Sequence, residues 1–241
     1  MKRRPLMILL AVILLTLMPA GSLLASDCVV LLHGLLRSAS SMSRLEERLQ
    51  NAGFAVVNIN YASRASELDD LADEAVSRGL SECRSQHDGL VHFVTHSLGG
   101  ILVRQYFSEH SQEQLGKVVM LGPPNHGSEV VDYLRNLPGY TLINGPAASQ
   151  LGTETDSPLS QLGPVDFELG VIAGTVSINP LFDLIVPDPN DGTVSVASTR
   201  VEGMRDHLVL PVSHSLMMYD QQVIDNVVHF LVTGKFIPVT Q

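Results

Sequence analysis

Residues 93–100 read Phe93-Val94-Thr95-His96-Ser97-Leu98-Gly99-Gly100, an apolar run that meets a serine and then two glycines. A serine on a sharp strand-to-helix turn needs small neighbours, because the backbone there is strained and larger flanking side chains collide; G-x-S-x-G supplies them. The first small position is occupied here by Thr95 instead of glycine, and a serine beside glycines also ends many ordinary strands. What would turn Ser97 into a nucleophile is a histidine to take its proton and a carboxylate to hold that histidine. Both follow in the chain. Residues 187–194 place Asp188 and Asp191 in a turn-rich loop, with Asp183 shortly before, and His214 follows an apolar run at 207–212 that begins with His207. The expected set is Ser97, Asp191 and His214. His214 stands at the carboxyl end of its run, the edge where Ser97 stands, whereas His207 stands at the opposite end; Asp183 and Asp188 compete for the role of acid.

These residues need elements to bring them together. Continuous apolar, β-branched runs at 28–32, 54–59, 90–95, 118–122, 171–174 and 207–212 read as strands buried on both faces of a parallel sheet. Between them lie amphipathic patterns. One starts at Ser43, where Glu46 completes a capping box; a second opens at Ser66 and carries Leu68, Leu71, Ala72, Ala75 and Val76 on one face up to Gly79; a third covers 98–108. Alternation of strand and helix predicts a doubly wound α/β fold whose ligands sit beyond the carboxyl ends of the strands. Residues 125–168 break the rhythm. They are rich in Pro, Gly, Ser and Thr, with a helix expected at 129–136, and a connection of that length is commonly a functional lid or binding loop.

The 241 residues are 45% hydrophobic, enough for one sizeable core, and carry a net charge of −10. No basic stretch occurs beyond the first few residues, which excludes an electrostatic footprint for nucleic acid. Lys2, Arg3 and Arg4 precede an apolar stretch at 6–18 and small residues up to Ala25, the layout of a signal peptide at 1–25. Uncleaved, the segment is long enough to anchor the chain and bring it near a membrane. The body, 26–241, is expected to be exported, periplasmic or secreted. Cys28 and Cys83 are the only two cysteines, which in an oxidising compartment favours a disulfide over two buried free thiols. The histidines show no pairing at metal spacing, so no metal and no cofactor are expected.

The run Thr-His-Ser-Leu-Gly-Gly-Ile-Leu-Val-Arg at 95–104, preceded by Val-Leu-Leu-His-Gly-Leu at 30–35, resembles the bacterial lipase and esterase branch of the α/β-hydrolase superfamily. Asp191-Gly192 with Val194 is similar to the acid loop of that family. The resemblance implies an α/β-hydrolase fold, mostly parallel, with 125–168 as a lid-like insertion. It implies an oxyanion hole made by the backbone N–H groups of Leu98, next after the nucleophile, and Leu35 on the loop after the first strand, leaving the Leu35 side chain to line an acyl pocket. Leu36 and Tyr140, with Leu137, Leu142 and Ile143, are candidates for the acyl site, though core or loop packing explains them as well. His33, His96 and His126 read as structural. The same sheet order makes the strands at Cys28 and near Leu90 neighbours, so Cys28 and Cys83 could meet at the edge away from the site. The activity implied is cleavage of a small-molecule or lipid ester through an acyl-enzyme, that is, a lipase or esterase. Two alternatives remain open: an acyltransferase or thioesterase with the same triad, and a non-catalytic envelope binding protein on the same fold.

Overall fold

Short runs rich in valine and leucine form strands here because helices cover both of their faces. The computed structural model describes residues 27–238, and the leader reading at 1–25 lies outside them. In chain order the elements are β1 (Cys28–Leu32), α1 (Ser43–Asn51), β2 (Ala55–Ile59), α2 (Leu68–Arg84), β3 (Val91–His96), α3 (Leu98–Glu109), β4 (Leu115–Leu121), the short helices α4 (Glu129–Leu134), α5 (Tyr140–Asn144), α6 (Pro146–Ser149) and α7 (Pro158–Gln161), then β5 (Leu169–Gly174), α8 (Pro180–Asp183), β6 (Asp206–Leu210) and α9 (Gln221–Thr233). The strands form one sheet in the order β2-β1-β3-β4-β5-β6, and every pairing is parallel. This is the doubly wound, parallel α/β architecture expected from the strand runs, and the α/β-hydrolase fold that the resemblance implies. Successive residues of β1 divide between two cores: Val30 and Leu32 pack with Phe93, α2 and α3, and Val29 and Leu31 pack with Val94, α1 and α9. Among the described residues no helix is long and apolar enough to cross a membrane.

Two helix starts differ from the sequence reading. A 3-10 turn at Ala39–Met42 leads into α1, so Ser43 is already helical (φ −60°, ψ −32°), Met42 is the N-cap and no side chain caps it. Glu46, freed from a capping box, accepts instead from Asn58 Nδ2 at 2.7 Å. Likewise α2 starts at Leu68 behind Glu67, not at Ser66, and runs five residues past Gly79. Gly79 does not stop it, because it lies against β1, where a Cβ would sit 2.5 Å from a Val30 methyl.

Because β1 pairs with β3 at Cys28↔Val91, the amino end of β1 lies beside the end of α2, and Cys28 and Cys83 form a disulfide with Cα atoms 5.8 Å apart. The two are 55 positions apart in sequence. Closing a loop of that length restricts the unfolded chain by about 4 kcal/mol in the chain-entropy account. Cys28→Ala with Cys83→Ala is therefore expected to lower the unfolding free energy by about that amount, measured by urea denaturation, and a reducing agent should have the same effect on the wild-type chain alone.

The insertion at 125–168 is more ordered than its composition suggests. It holds four short helices, and α4 ends at Leu134, two residues before the expected boundary. Its start and end are gripped by Arg104 of α3, buried to 4% exposure, which donates to the Asn125 carbonyl (3.0 Å), to Asn125 Oδ1 (3.1 Å) and to the Gly163 carbonyl (2.8 Å). Its middle lies on the 64–68 loop: Ala147 N–H donates to the Ser66 carbonyl and Leu68 N–H donates to Gln150 Oε1 at 2.8 Å.

Candidate active site

The six strands are parallel, so their carboxyl ends share one edge, and the chain reverses its direction of travel across the sheet between β1 and β3. A crevice opens at such a switch point. Ser97 stands there, between β3 and α3, with φ 52° and ψ −119°, a conformation that residues with side chains seldom adopt and that persists only where the surroundings enforce it. They do so closely. Ser97 N–H donates to the Leu121 carbonyl at 2.9 Å. A Cβ on Gly99 would sit 2.7 Å from the Leu32 carbonyl oxygen, and one on Gly34 would sit 3.2 Å from Ser97 Cβ. Thr95, in the place of the usual glycine, is wholly buried, and the turn forms around it.

Ser97 Oγ lies 3.0 Å from His214 Nε2, and His214 Nδ1 lies 2.8 Å from Asp191 Oδ2. The other oxygen, Asp191 Oδ1, accepts from the N–H groups of Thr193 (3.0 Å) and Val194 (2.8 Å). His214 N–H donates to the Asp191 carbonyl at 3.0 Å, so backbone and side chain of both residues are locked together. Gly122, with φ 54°, leaves room beneath them: a Cβ there would be 3.0 Å from both Asp191 Oδ2 and His214 Nδ1. The competing acids are engaged elsewhere. Asn190 Nδ2 donates to Asp188 Oδ1 (3.0 Å) and to Asp183 Oδ1 (3.4 Å), while Asn190 Oδ1 accepts from Gly192 N–H at 2.8 Å, which shapes the loop that carries Asp191. His207, at the start of β6, pairs through Nε2 with Thr199 Oγ1 at 2.9 Å, far from Ser97 in the sheet.

The loop after β1 lies against this group. Its turn is closed by Arg37 N–H donating to the Gly34 carbonyl at 3.2 Å, and Leu36 N–H donates to Ser63 Oγ at 3.2 Å. Among the described residues the N–H of Leu35 and that of Leu98, at the start of α3, have no hydrogen-bond partner. His33 fixes the base of the loop: its Nδ1 donates to the Gly34 carbonyl at 2.9 Å, its ring stacks on Tyr61 at 4.2 Å, and the Tyr61 hydroxyl donates to the His33 carbonyl at 2.6 Å. His96 Nε2 donates to the His214 carbonyl at 2.9 Å. The structural reading of His33 and His96 thus holds, but that of His126 needs correction. Its ring is exposed, and the buried residue of that segment is Asn125, which donates through Nδ2 to the Thr199 carbonyl at 2.7 Å. Leu35 also departs from expectation: its half-buried side chain packs against the core shared by β1, α2 and α3.

Two grooves lie beyond the carboxyl ends of the strands, the edge that carries Ser97. On the β1 and β2 side a groove of about 770 Å³ is lined by Leu36 and Leu142; Tyr140, two residues before Leu142, is not among its lining residues. Beyond β5 and β6 a cleft of about 390 Å³ is walled by Val176, Ile178, Val212, Leu216 and Tyr219, next to His214. Among the described residues no three His, Cys, Asp or Glu side chains gather as metal ligands.

Four imidazoles are held neutral by burial. Desolvation lowers the pKa of His33, His92 and His96, for His96 with help from the neighbouring His214, and it pushes His207 down to about 4. Between that value and the ordinary 6.5 the unfolded chain binds a proton at His207 that the folded chain refuses, so stability falls as pH drops through this window and levels off below it. The midpoint of thermal unfolding is expected to decline from pH 6.5 to pH 4, and His207→Gln should flatten part of that decline.

Residues 28–157 match the palmitoyl protein thioesterase family. This span includes Ser97 and most of the insertion and ends before Asp191 and His214. No curated protein matches the chain. Among solved structures, the mature form of Bacillus licheniformis lipase BlEst2 superposes with a TM-score of 0.68 at 18% identity, over 86% of this chain and 92% of that one. A metagenomic carboxyl esterase, MGS0156, gives 0.59 at 18% identity over 79% and 65%. Legionella pneumophila phospholipase PlaB, in complex with thio-NAD, gives 0.57 at 20% identity, over 72% of this chain and 44% of that one. At these identities the likeness is one of fold.

Proposed function

This chain belongs to the palmitoyl protein thioesterase family, and from that we propose that it hydrolyses acyl esters and acyl thioesters, with Ser97 as nucleophile, His214 as general base and Asp191 as the group that orients it. The observation that carries the reading is the continuous relay from Ser97 Oγ to His214 Nε2 (3.0 Å) and from His214 Nδ1 to Asp191 Oδ2 (2.8 Å). Ser97 Oγ attacks the acyl carbon as its proton passes to His214 Nε2. The developing oxyanion is received by the unpartnered N–H groups of Leu35 and Leu98, the latter at the positive end of α3. Collapse expels the alcohol or thiol, protonated by His214, and water activated by the same nitrogen then releases the acid. The apolar cleft beside His214 suits the acyl chain. Thioesters join oxygen esters here because of the family match, which raises the thioesterase alternative to equal standing. Export of the chain is part of the same proposal, supported by the Cys28–Cys83 disulfide, since such bonds persist in oxidising compartments.

The test is to treat the purified chain with a fluorophosphonate and map the adduct, then assay p-nitrophenyl esters of two to sixteen carbons beside N-acetylcysteamine thioesters of the same acids. Modification confined to Ser97 and turnover of either series are expected. A chain that neither labels nor turns over any member would sink the reading and favour a binding protein on the same scaffold.

A further inference from the structure

The groove on the β1 and β2 side of Ser97 has a charge pattern that the hydrolytic relay does not use. Arg37 and Arg64 line it, and neither Asp nor Glu does. Among the described residues the Arg64 side chain donates only to the Ile143 carbonyl, through Nη1 at 3.0 Å, and the Arg37 side chain has no hydrogen-bond or ion-pair partner. In a chain with 25 acidic residues against 15 basic ones, two guanidinium groups without a carboxylate between them stand apart. Two further arginine-bearing grooves each include an acid, Glu47 beside Arg44 and Arg48 in one and Asp166 beside Arg104 in the other. The groove lies on the same edge of the sheet as the reaction centre: Leu36 is common to its wall and to the loop after β1, and Gly34 of that loop lies against Ser97. The Arg37 charge contributes to the lowered pKa of His96, the residue beside Ser97.

Guanidinium groups match phosphate oxygens in charge and in donor geometry. We propose that this groove binds the leaving-group half of the substrate and that this half carries a phosphate, held by Arg37 and Arg64. The substrate class is an acyl thioester or acyl ester whose thiol or alcohol bears a phosphate monoester or diester. The proposal rests on the reading of Ser97 as nucleophile and divides the substrate across it, acyl chain toward Val176, Ile178 and Leu216 and phosphate toward β1 and β2. The bond that breaks is the acyl C–S or C–O bond. Water supplies the hydroxyl to the acyl carbon and the proton to the departing thiol or alcohol, which keeps its phosphate.

Two substrate pairs, each differing in the phosphate, test this and separate its sources: octanoyl-4′-phosphopantetheine against octanoyl-pantetheine, and monomeric dihexanoyl phosphatidylcholine against dihexanoylglycerol. The wild-type chain is expected to prefer the phosphorylated member of at least one pair by about tenfold in kcat/KM, and the pair in which this occurs identifies the source. Arg37→Glu with Arg64→Glu should bring that ratio to one or below, whereas Arg84→Glu, a single charge reversal at the far end of α2, should preserve it. A ratio near one in both pairs, or a preference that survives the double reversal, overturns the proposal. A binding measurement keeps the two readings apart. Calorimetric titration of 4′-phosphopantetheine, or of glycerophosphocholine for the second source, into Ser97→Ala should show affinity that the double reversal weakens about tenfold. A chain that binds this way but hydrolyses nothing would overturn the nucleophile and leave the groove standing; equal hydrolysis of both members would do the reverse.

Discussion

Replacing Ser97 by alanine is expected to lower kcat on acyl esters by about 10⁶-fold, the scale on which a nucleophilic serine acting as one unit with its histidine contributes. Among the described residues the Ser97 hydroxyl bonds only His214, so its removal should cost little stability, and the thermal midpoint should stay within a few degrees of wild type. His214→Ala should be about as severe, and the double variant hardly worse than either alone, because neither group functions without the other. Hydrolysis of a p-nitrophenyl ester at saturating concentration measures all three. Retention of more than about one part in a hundred of the activity by Ser97→Ala would move the nucleophile elsewhere.

Asp191→Asn should cost about 10⁴-fold in kcat, and the local hydrogen bonds say why. Asp191 Oδ1 accepts from two backbone N–H groups, so an asparagine must place its carbonyl oxygen there and its NH₂ group toward His214. His214 Nδ1 then becomes an acceptor, its proton moves to Nε2, and Nε2 faces Ser97 as a donor that cannot take the hydroxyl proton. The variant should therefore fold normally and bind substrate while turning it over slowly: kcat falls and KM changes little. A large rise in KM with kcat preserved would contradict this assignment of Asp191.

Ser97 and His214 were legible in the sequence because each follows a strand on one edge of a parallel sheet, so chain order and edge together select them, and Asp191 was favoured by the likeness of Asp191-Gly192 with Val194 to the family's acid loop. Asp183 and Asp188 could not be set aside on those grounds, since both lie with Asp191 between β5 and β6; the hydrogen bond of Asp191 to His214, and the side chain of Asn190, which engages the other two, separate them. The strands were readable as apolar runs because both of their faces are buried, but their ends shifted where neighbouring strands extend the pairing, as at Leu115 and Leu169. Helix α9 was missed, although Asp220 accepts from Val223 N–H at its start and Gly234 closes it in the left-handed conformation; the apolar spacing from Val223 to Leu231 was the available signal. The insertion hid its short helices for another reason. Gly139, Gly145, Pro146 and Pro158 punctuate it, and such helices are too short to show a periodic face. Tyr61, Ser63 and Gly122 support the site through contacts between distant segments, which local pattern does not encode.

The relay has a temporal side. Ser97 and His214 are 117 positions apart, and Asp191 and His214 reach them only through β5 and β6, the last two strands in the chain and the outermost pair on that side of the sheet. A chain interrupted after α3 already contains the serine, its glycines and the turn, yet lacks base and acid. On the proposed mechanism, reactivity at Ser97 is acquired late, when the carboxyl-terminal third docks, and the nascent polypeptide is expected to be silent toward acyl groups around it. Fluorophosphonate labelling therefore reports assembly of the whole relay: an adduct should form on the folded full-length chain and not on one that ends after α3.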